Sequence, residues 1–493
     1  MKAIAIVVTG LAAVVGSQCG TVENKSPDFS AVSRVDSGRA VAVMLTSYST
    51  TLRANGTDWT RLRLAVSDSL GREITSASDS IRVYVSGDGV ITAPDGAALS
   101  IVADTGGTHY TPVRLVHGVA ALRFRAGTTP DRVKVDARSG RLFPGGHEIH
   151  TIRGDVELRT PSTEQLPPTT KPIGRMIGAD ISWLPQIESG AMRFPGAISE
   201  FREDGNTVDA IALLRRHGFN YIRLRIFVNP ENPKGYSPRV GFCGLDSTLS
   251  MARRVKAAGM GLLLDFHYSD YWADPQQQNK PLAWVSLSDA ALRDTVRSYT
   301  RAVLTALKRQ GTLPDMVQIG NEVNHGILWP DGHIGNLDQL AGLLRAGVAG
   351  AADVDPAMPV MMHIALGGQN AEARFWLDNM LARGLTFDMI GLSYYPRWHG
   401  TLEDLYANVR DLAGRYHKPI NVVEYSDFKR PVHEIVFGLP SDLGKGAAIW
   451  EPLGRQSGLF DAKGNVTERM RVYDSLHAEF IARPANSTPK RRP

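Results

Sequence analysis

Alternating hydrophobic and polar positions characterise the first third of the chain. Between about residues 31 and 159, apolar residues recur at every second position in segments such as TRLRLAVSD and SIRVYVSG. Turn signals such as Asn55-Gly56 and Ser139-Gly140 separate these segments. Short strands at this spacing are typical of an all-β sandwich. The pattern therefore predicts an all-β sandwich over residues 31–159.

The pattern changes after residue 172 to short apolar runs that alternate with amphipathic helical segments. Eight runs have the length of buried strands: Met176–Ile181, Asn220–Phe227, Gly261–His267, Met316–Glu322, Val360–Ile364, Met389–Tyr395, Ile420–Glu424 and Ala447–Trp450. The clearest helical segments are Leu245–Ala258, Asp289–Arg309, Leu337–Ala352, Ala371–Arg383 and Leu402–Tyr416. Eight such repeats predict an α/β fold, a (β/α)₈ TIM barrel, over residues 173–482. A doubly wound sheet is the alternative, but no glycine-rich phosphate loop follows any strand.

A proline- and threonine-rich segment separates the two patterns. Residues 160–172, which include PSTEQLPPTTKP, predict a stiff and extended linker rather than a folded element. The preceding sandwich shows no cluster of exposed aromatic residues that would mark a sugar-binding face. We therefore predict that the sandwich is a spacer, and that its removal leaves catalysis almost unchanged.

Both ends of the chain predict segments outside the folded domains. Residues 1–20 combine Lys2, an apolar run and small residues, which is the layout of an export signal, and the run is too short for a comfortable membrane span. This predicts a secreted, cell-surface or periplasmic protein. Cys19 leaves a lipid anchor open, although Gln18 stands where a small residue would be expected. Residues 483–493 predict a disordered tail.

Composition and charge exclude some classes of function. With 43% hydrophobic and 21% charged residues, the chain has the composition of a globular protein. The net charge of +5 is small for 493 residues, and the basic residues are scattered, so no nucleic-acid-binding surface is predicted. Two cysteines cannot form a disulfide framework, and Cys243 is predicted to be a small buried residue. We expect a monomer.

Polar and aromatic residues collect at the ends of the predicted barrel strands. They are Asp180, Arg223, Arg225, Asp265, His267, Asp270, Trp272, Asn321, Glu322, Ser393, Tyr394, Tyr395, Glu424, Trp450 and Glu451. The active sites of TIM barrels lie where the strands end, so these side chains are expected to form one site. Ser393 and Tyr395 share a face, and we therefore expect Tyr395 rather than Tyr394 to point inward. Arg225 could instead form a salt bridge in the barrel core.

Two glutamates at strand ends indicate the chemistry of this site. Glu322 follows the fourth strand and Glu424 ends the seventh, and either one alone could be a salt-bridged structural residue. Together they have the arrangement that retaining glycosidases use, in which carboxyls about 5–5.5 Å apart act as the acid/base and the nucleophile. Nearby tryptophans would provide flat platforms for sugar rings.

Long motifs in the second domain support this interpretation. They include GADISWL, LLLDFHYSDYWADPQQQNKPLAW, MVQIGNEVNHGILWPDG, MIGLSYYPRWHGTLEDL and INVVEYSD. Over about residues 173–476, these motifs resemble glycoside hydrolase family 53, the arabinogalactan endo-β-1,4-galactanases. In the first domain, TRLRLAVSDSLGREI followed by SGDGVIT resembles the bacterial immunoglobulin-like modules that are appended to secreted enzymes and adhesins.

The resemblance implies an exported, retaining endo-β-1,4-galactanase that acts on galactan or arabinogalactan. It implies that Glu322 is the acid/base and that Glu424 is the nucleophile, which Arg223 and Tyr395 could keep ionised. The substrate-binding residues that we predict are Asp180, Arg223, His267, Asp270, Trp272, Asn321, Tyr395, Trp398 and Trp450. Trp398 could instead pack within its own loop.

The segment between Glu424 and Trp450 departs from the family pattern. Many family members have a much longer loop there, and some bacterial members bind calcium in this region. This segment contains no run of oxygen ligands that would suit calcium, so we expect no metal and no other cofactor. The shorter loop also leaves the number of sugar subsites open.

Three alternative functions remain. A metal-dependent hydrolase could use His267, Asp270, Asp274, His325 and His333 as ligands. However, no tight H-x-H pair lies near a strand end, and the glutamate pair would be left unexplained. The barrel could instead act as a retaining endo-glycosidase on another β-linked polysaccharide, or as a non-catalytic glycan-binding surface protein.

Overall fold

A computed structural model describes residues 27–192, 198–454 and 457–482, which form a β-sandwich followed by a closed barrel. The predicted export signal over residues 1–20, with Cys19 and its possible lipid anchor, lies outside the described residues. So does the predicted tail over residues 483–493. Within the described ranges, no helix combines the length and the apolar character that crossing a bilayer requires.

The first domain consists of two six-stranded sheets packed face to face. After a short helix, α1 (Ser30–Ser33), its strands are β1 (Arg34–Val35), β2 (Ala42–Ser47), β3 (Thr51–Ala54), β4 (Trp59–Ser67), β5 (Glu73–Ile74), β6 (Ser80–Ser86), β7 (Gly89–Thr92), β8 (Val102–Ala103), β9 (His109–Arg114), β10 (Val119–Ala126), β11 (Asp131–Arg138) and β12 (Gly145–Arg153). One sheet has the order β1-β5-β4-β10-β7 with β2 paired to β4, and the other has the order β3-β12-β11-β6-β9-β8. On β10, Leu122, Phe124 and Ala126 are buried while Arg125 is exposed, which is the alternation that the sequence shows. The predicted sandwich is confirmed.

The second domain is an eight-stranded parallel barrel. Its strands are β13 (Met176–Asp180), β16 (Tyr221–Ile226), β17 (Gly261–Phe266), β18 (Met316–Ile319), β21 (Val360–Ile364), β22 (Met389–Tyr394), β23 (Ile420–Tyr425) and β24 (Gly444–Trp450), and β24 pairs with β13 to close the barrel. Two hairpins, β14 (Phe201–Glu203) with β15 (Asn206–Val208) and β19 (Gly326–Ile327) with β20 (Gly332–His333), lie in the connections. The predicted (β/α)₈ fold is confirmed.

Helices connect the barrel strands. They are α2 (Leu184–Glu188), α3 (Ala210–Arg216), α4 (Leu245–Ala257), α5 (Asp289–Arg309), α6 (Leu337–Ala352), α7 (Asn370–Ala382), α8 (Pro396–His399), α9 (Leu402–Tyr416), α10 (Lys429–Phe437) and α11 (Arg471–Phe480). The sequence sets their starts: the side chain of Ser288 accepts a hydrogen bond from Ala291 N–H before α5, and Thr401 forms a capping box with Asp404 at α9. Such caps satisfy backbone donors that the helix itself leaves unpaired.

The interior of the barrel changes from apolar to ionic along its axis. An apolar layer is formed by Met176, Leu263, Met316, Met361, Met389 and Val423. Two residues further along β17 and β18, the same inward face presents Asp265 and Gln318, since alternate residues of a strand share a face. The polar layer therefore lies at the carboxyl ends of the strands, where a TIM barrel carries its site.

The sandwich packs directly against the barrel, a contact that the sequence did not predict, while its role as a spacer stays a prediction. Glu372 of α7, which is 1% exposed, accepts hydrogen bonds from Thr50 N–H, from the Thr50 hydroxyl at 2.8 Å and from the Thr51 hydroxyl at 2.9 Å. Burying a carboxylate without such partners would be costly, so these threonines fix how the two domains dock. The sequence did not predict this docking because the contacts are single hydrogen bonds, which leave no periodic pattern in the sequence.

The linker is also part of this docked structure. The Thr169 hydroxyl donates to the carbonyl of Asp388 at 2.6 Å, and Lys171 Nζ contacts the Asp388 carboxylate at 3.0 Å. Arg159 N–H donates to the side chain of Asn379 at 2.9 Å. The linker thus runs along the barrel and contacts it near both ends of the linker.

Candidate active site

A cavity of about 700 Å³ opens at the carboxyl ends of the barrel strands. Its lining includes nine of the predicted catalytic and substrate-binding residues: Arg223, His267, Trp272, Asn321, Glu322, Tyr395, Trp398, Glu424 and Trp450. A cavity of this size is typical of small-molecule and oligosaccharide sites. The barrel strands therefore bring most of the predicted residues to one place.

Glu322 is held in an unusual backbone conformation. Gly320, two residues earlier, has φ of +83°, and Glu322 itself has φ of +48° and ψ of +53°, in the left-handed region that non-glycine residues rarely adopt. A 3₁₀ turn, Val323–His325, starts directly after it. Strain of this kind is found where surrounding structure fixes a functional side chain, and here it aims the Glu322 carboxyl into the cavity.

Three side chains in series position the Glu322 carboxyl. The Ser393 hydroxyl donates to Glu322 Oε1 at 2.6 Å, and Ser393 Oγ lies 2.8 Å from His363 Nε2. His363 Nδ1 lies 3.1 Å from Gln318 Nε2, which can only donate. His363 Nδ1 also lies 3.0 Å from Asn321 Oδ1, so both ring nitrogens are held and the ring fixes Ser393 against Glu322.

Glu424 is held by a cation and a phenol. Its Oε1 lies 2.9 Å from Arg223 Nη1, and its Oε2 accepts a hydrogen bond from the Tyr395 hydroxyl at 3.1 Å. In the pairing of β22 with β23, Glu424 is the direct partner of Ser393, which contacts Glu322. The two glutamates therefore lie close enough that the negative charge of Glu424 raises the pKa of Glu322.

Arg223 lies at the centre of the polar layer. Its guanidinium contacts Asp180 Oδ2, Asp265 Oδ2 and Asn321 Oδ1, each at 2.8 Å, and Glu424 at 2.9 Å. Burial by itself would lower the pKa of Arg223, but the surrounding carboxylates raise it above its ordinary value. A permanently charged guanidinium thus fixes Glu424, and it also orients Asn321.

The pKa shifts of the two glutamates distinguish them. Burial raises the pKa of Glu322 well above its ordinary value of 4.5, and repulsion from Glu424 raises it further. Burial also raises the pKa of Glu424, but the adjacent Arg223 opposes this shift. When one proton is present on the pair, it therefore resides on Glu322, and Glu424 carries the negative charge.

Aromatic side chains form one side of the cavity. The Trp450 ring packs edge-on against Trp183, with centroids 5.1 Å apart, and lies 6.4 Å from Trp272. The Arg225 guanidinium lies 4.3 Å from the centre of the Trp272 ring and is ion-paired with Glu451 at 2.7 Å. Arg225 thus forms the buried salt bridge that the sequence left open, and it also supports the tryptophan cluster.

Tyr395 and Trp398 lie on the other side of the cavity. Tyr395 lines the cavity, as predicted, while the Tyr394 hydroxyl donates to the carbonyl of Gly400 away from it. The Trp398 ring, 36% exposed, stands edge-on to Tyr395 with centroids 5.9 Å apart. An exposed indole beside the reacting groups can stack against a sugar ring.

Two predicted binding residues occupy other positions. Asp270 is not part of the cavity lining: its Oδ1 accepts from Asn229 N–H at 2.9 Å, and its Oδ2 accepts from Leu282 N–H at 2.8 Å. Its carboxylate holds loops together, so the prediction of substrate contact is wrong for this residue. Asp180 is fully buried beneath the cavity and acts through Arg223 and through Ser182, whose hydroxyl donates to it at 2.7 Å.

The sequence reasoning missed Gln318 and His363. Both are fully buried, and both belong to the chain of contacts that ends on Glu322. The signal was present, because each is a polar residue inside a strand that is otherwise apolar, MVQI and VMMHI. A polar residue in such a strand needs a partner at the same height of the barrel.

The residues suggested as metal ligands are used separately. His267 Nδ1 accepts from Ala273 N–H at 3.1 Å while its Nε2 lies 3.0 Å from Asp265. His325 and His333 lie at the contact with the sandwich, where His333 Nε2 is 2.8 Å from His150 Nδ1. Across the three described ranges, no group of three or more histidine, cysteine, aspartate or glutamate residues is arranged to hold a metal ion.

Comparisons with known proteins agree with this geometry. The family profile of glycosyl hydrolase family 53 matches residues 176–436, and that of the glycoside hydrolase family 2 C-terminal domain 5 matches residues 43–146. An uncharacterized protein from the bgaB 5′ region of Niallia circulans is 45% identical over 257 residues, which cover 50% of this chain and 66% of that protein. Arabinogalactan endo-β-1,4-galactanase A of Aspergillus niger is 32% identical over 283 residues, 53% of this chain and 78% of the enzyme.

Solved structures resemble the barrel as well. The catalytic domain of the family 53 enzyme of Ignisphaera aggregans is 31% identical and superposes with a TM-score of 0.56, covering 63% of this chain and 99% of that domain. A structure described as one of two fungal β-1,4-galactanases is 28% identical, with a TM-score of 0.54 over 60% of this chain and 98% of the other. Both matches span almost the whole of the solved chains but less than two thirds of this one.

Proposed function

Because the chain belongs to glycosyl hydrolase family 53 and is a glycoside hydrolase, we propose that it is a retaining endo-β-1,4-galactanase acting on galactan or arabinogalactan. The observation that carries the mechanism is the pair of buried carboxyls in one cavity, of which Glu322 is the more readily protonated. Its relatives with named activity act on galactan, and the open cavity suits a polymer that extends past the point of cleavage.

In the proposed mechanism Glu322 is the acid and Glu424 is the nucleophile. Glu322 protonates the oxygen of the leaving sugar while Glu424 attacks the anomeric carbon and forms a covalent galactosyl–enzyme intermediate. Glu322, now deprotonated, then takes a proton from the water that hydrolyses this intermediate, which restores both side chains. Arg223 and the Tyr395 hydroxyl keep Glu424 ionised and aimed before the attack.

The remaining cavity residues have binding roles in this proposal. Asn321, whose Oδ1 is held by Arg223, presents its amide beside the reacting sugar, where it can bind a hydroxyl. Trp450 and Trp272 provide apolar faces for the sugars next to the cleaved bond. Export is a further part of the proposal and rests on the N-terminal sequence pattern alone.

The experiment that tests the proposal combines a substrate panel with stereochemistry. The purified protein is incubated with β-1,4-galactan and with other β-linked polysaccharides, and the products are sized. We expect galactan to be shortened to oligosaccharides, and the proton NMR spectrum to show β-anomeric ends first. Cleavage of only another polymer would refute the substrate, and α-anomeric first products would refute the retaining mechanism.

Substitution of the glutamates separates their roles. Glu424→Ala is expected to lower kcat by several orders of magnitude on every substrate, because the nucleophile is lost. Glu322→Ala is expected to do the same on galactan, but to lose less on an aryl β-galactoside whose leaving group needs little protonation. Equal losses on both substrates would contradict the acid role of Glu322. Unchanged circular dichroism serves as the control for folding.

A further inference from the structure

The cavity extends beyond the barrel onto the sandwich. Its lining includes four sandwich residues, Thr50, Gly146, His147 and Glu148, of which His147 and Glu148 are partly exposed. The wall of the cavity is therefore not made by the barrel alone. A polymer bound across the two glutamates would therefore extend onto the sandwich.

The sandwich also fixes the barrel loops that carry the site. Arg132 donates to the carbonyl of Gln276 at 2.6 Å in the loop after β17, and Thr50 Oγ1 lies 2.9 Å from His325 Nε2 in the turn after Glu322. In the loop after β22, Arg397 donates to the carbonyl of Pro144. The loops after β17, β18 and β22 thus rest on the other domain.

Trp398 receives the most direct support. His147 Nε2 donates to the Trp398 carbonyl at 3.1 Å, and Gln369 Nε2 donates to the same carbonyl at 3.1 Å. Gln369 is itself in contact with the carbonyl of Ser47 on β2, at 3.3 Å. The backbone that carries this exposed indole is therefore held by two contacts that lead back to the sandwich.

The geometry also indicates on which side of the cleaved bond this wall lies. An acid must face the oxygen of the leaving sugar, so the leaving part of the polymer passes Glu322. The turn that follows Glu322 ends at His325, which contacts Thr50 of the sandwich, whereas Trp450 stands at the end of β24 on the opposite wall. The sandwich thus borders the leaving-group side.

We propose that the sandwich completes a sugar subsite on the leaving-group side of the cavity, in which Glu148 binds sugar hydroxyls beside the Trp398 ring, while His147 holds the Trp398 backbone in place. The carboxylate of Glu148, positioned by its ion pair with Arg132, accepts hydrogen bonds from hydroxyl groups. This inference rests on the proposed galactanase function, and it assigns to the sandwich a role in deciding where the polymer is cut.

The test uses full-length protein and β-1,4-galactohexaose labelled at its reducing end. The length of the labelled product reports how many sugars occupied the leaving-group side. Glu148→Ala is expected to shorten the labelled product and to lower kcat/KM on the hexaose about 5- to 10-fold, as the loss of one hydrogen bond predicts. The loss on an aryl β-1,4-galactobioside, which has no sugar there, is expected to be smaller.

Controls separate a binding role from a structural one. Arg114→Ala changes an exposed residue of the same domain and is expected to leave the position of cleavage as in the wild type. Thermal unfolding checks that each variant is folded, and Glu148→Gln, which keeps a hydrogen-bonding amide, is expected to restore part of the loss. If Glu148→Ala is folded and cuts at the wild-type position with unchanged kcat/KM, the inference is wrong, while cleavage of the hexaose itself still supports the proposed function.

Discussion

At the scale of single residues, the site is organised by one cation and by a series of neutral donors. Arg223 contacts four polar groups within 2.9 Å, so the three carboxylates around it share one positive charge. Glu322 instead accepts a hydrogen bond from the Ser393 hydroxyl, which is a neutral donor. The difference between a charged and a neutral partner is what separates the protonation of the two glutamates.

Removing the Tyr395 hydroxyl tests the support of the nucleophile. Tyr395→Phe takes one hydrogen bond from the Glu424 carboxylate and leaves the ring in place. We expect kcat to fall about 10- to 100-fold, since hydrogen bonds to charged groups contribute about 1.5–3 kcal/mol. Steady-state kinetics on galactan measures the effect. Tyr394→Phe, whose hydroxyl donates to Gly400, is the matched control, and an equal loss there would contradict the assignment.

The raised pKa of Glu322 predicts the shape of the pH profile. The acid must be protonated, so kcat/KM should fall as pH rises through a pKa well above 4.5, and it should fall at low pH as Glu424 becomes protonated. Glu322→Gln cannot titrate at this position. On an aryl β-galactoside, its profile is therefore expected to lose the alkaline limb. An alkaline limb that persists unchanged in this variant would assign it to another group.

At the scale of elements, the backbone after β18 is the segment whose conformation most restricts the choice of residue. Gly320 has φ of +83°, and a Cβ atom there would lie 2.5 Å from Val323 Cγ1. Gly320→Ala is expected to destabilise the fold by about 1–2 kcal/mol from the left-handed conformation alone, with more from the collision, and to displace Glu322. Urea unfolding and kcat measure the two effects.

A glycine in a helix supplies the comparison for that substitution. Gly414 lies within α9, where a Cβ atom would meet nothing within 4 Å. Gly414→Ala is therefore expected to stabilise the protein by up to about 1 kcal/mol and to leave kcat unchanged. If both alanines had the same effect, the requirement for glycine at position 320 would be refuted.

The sequence was sufficient for the elements because their signals are local. Three predicted helices, Asp289–Arg309, Leu337–Ala352 and Leu402–Tyr416, have the observed bounds, since each has a capping residue and an apolar face. Strand β24 begins at Gly444 rather than at Ala447, because Gly444-Lys445-Gly446 lacks the apolar pattern of a buried strand. Local pattern therefore predicts the elements but not every boundary.

Contacts between residues that are distant in the sequence could not be predicted from local patterns. The pairing of Glu322 with Ser393 spans 71 positions, and that of Thr50 with Glu372 spans 322. Each depends on the closed barrel or on the docking of two domains, and neither leaves a periodic signal. For this reason the strand-end residues were predictable, whereas the positioning residues and the docking of the sandwich were not.

At the scale of the whole molecule, the docking surface contains stacked histidines. The His150 ring of the sandwich stacks on His325, with centroids 3.8 Å apart, and its Nδ1 lies 2.8 Å from His333. Arg132 and Trp329 also face this cluster, and Glu148 lies 3.9 Å from His150. Burial lowers the pKa of His325 to about 3 and that of His333 to about 4, and it lowers the pKa of His150 well below its ordinary value of 6.5.

These shifts predict that acid weakens the docked structure. The folded protein holds the histidines neutral, so their stabilising effect is complete above about pH 6.5 and is lost as pH falls towards 4. The fall in melting temperature between pH 7 and pH 4.5 is expected to be smaller in His150→Phe than in the wild type. The exposed His109→Gln should keep the wild-type fall. An undiminished fall in His150→Phe would show that the cluster does not cause it.

The buried acid of helix α7 has a consequence for protein engineering. Anyone who grafts a different N-terminal module onto this barrel inherits Glu372, and the graft must supply hydroxyl groups where Thr50 and Thr51 now stand. A chimera without these hydroxyl groups would leave a buried carboxyl without hydrogen-bond partners at the domain interface. An N-terminal module of this kind can therefore be exchanged only together with the barrel surface that it contacts.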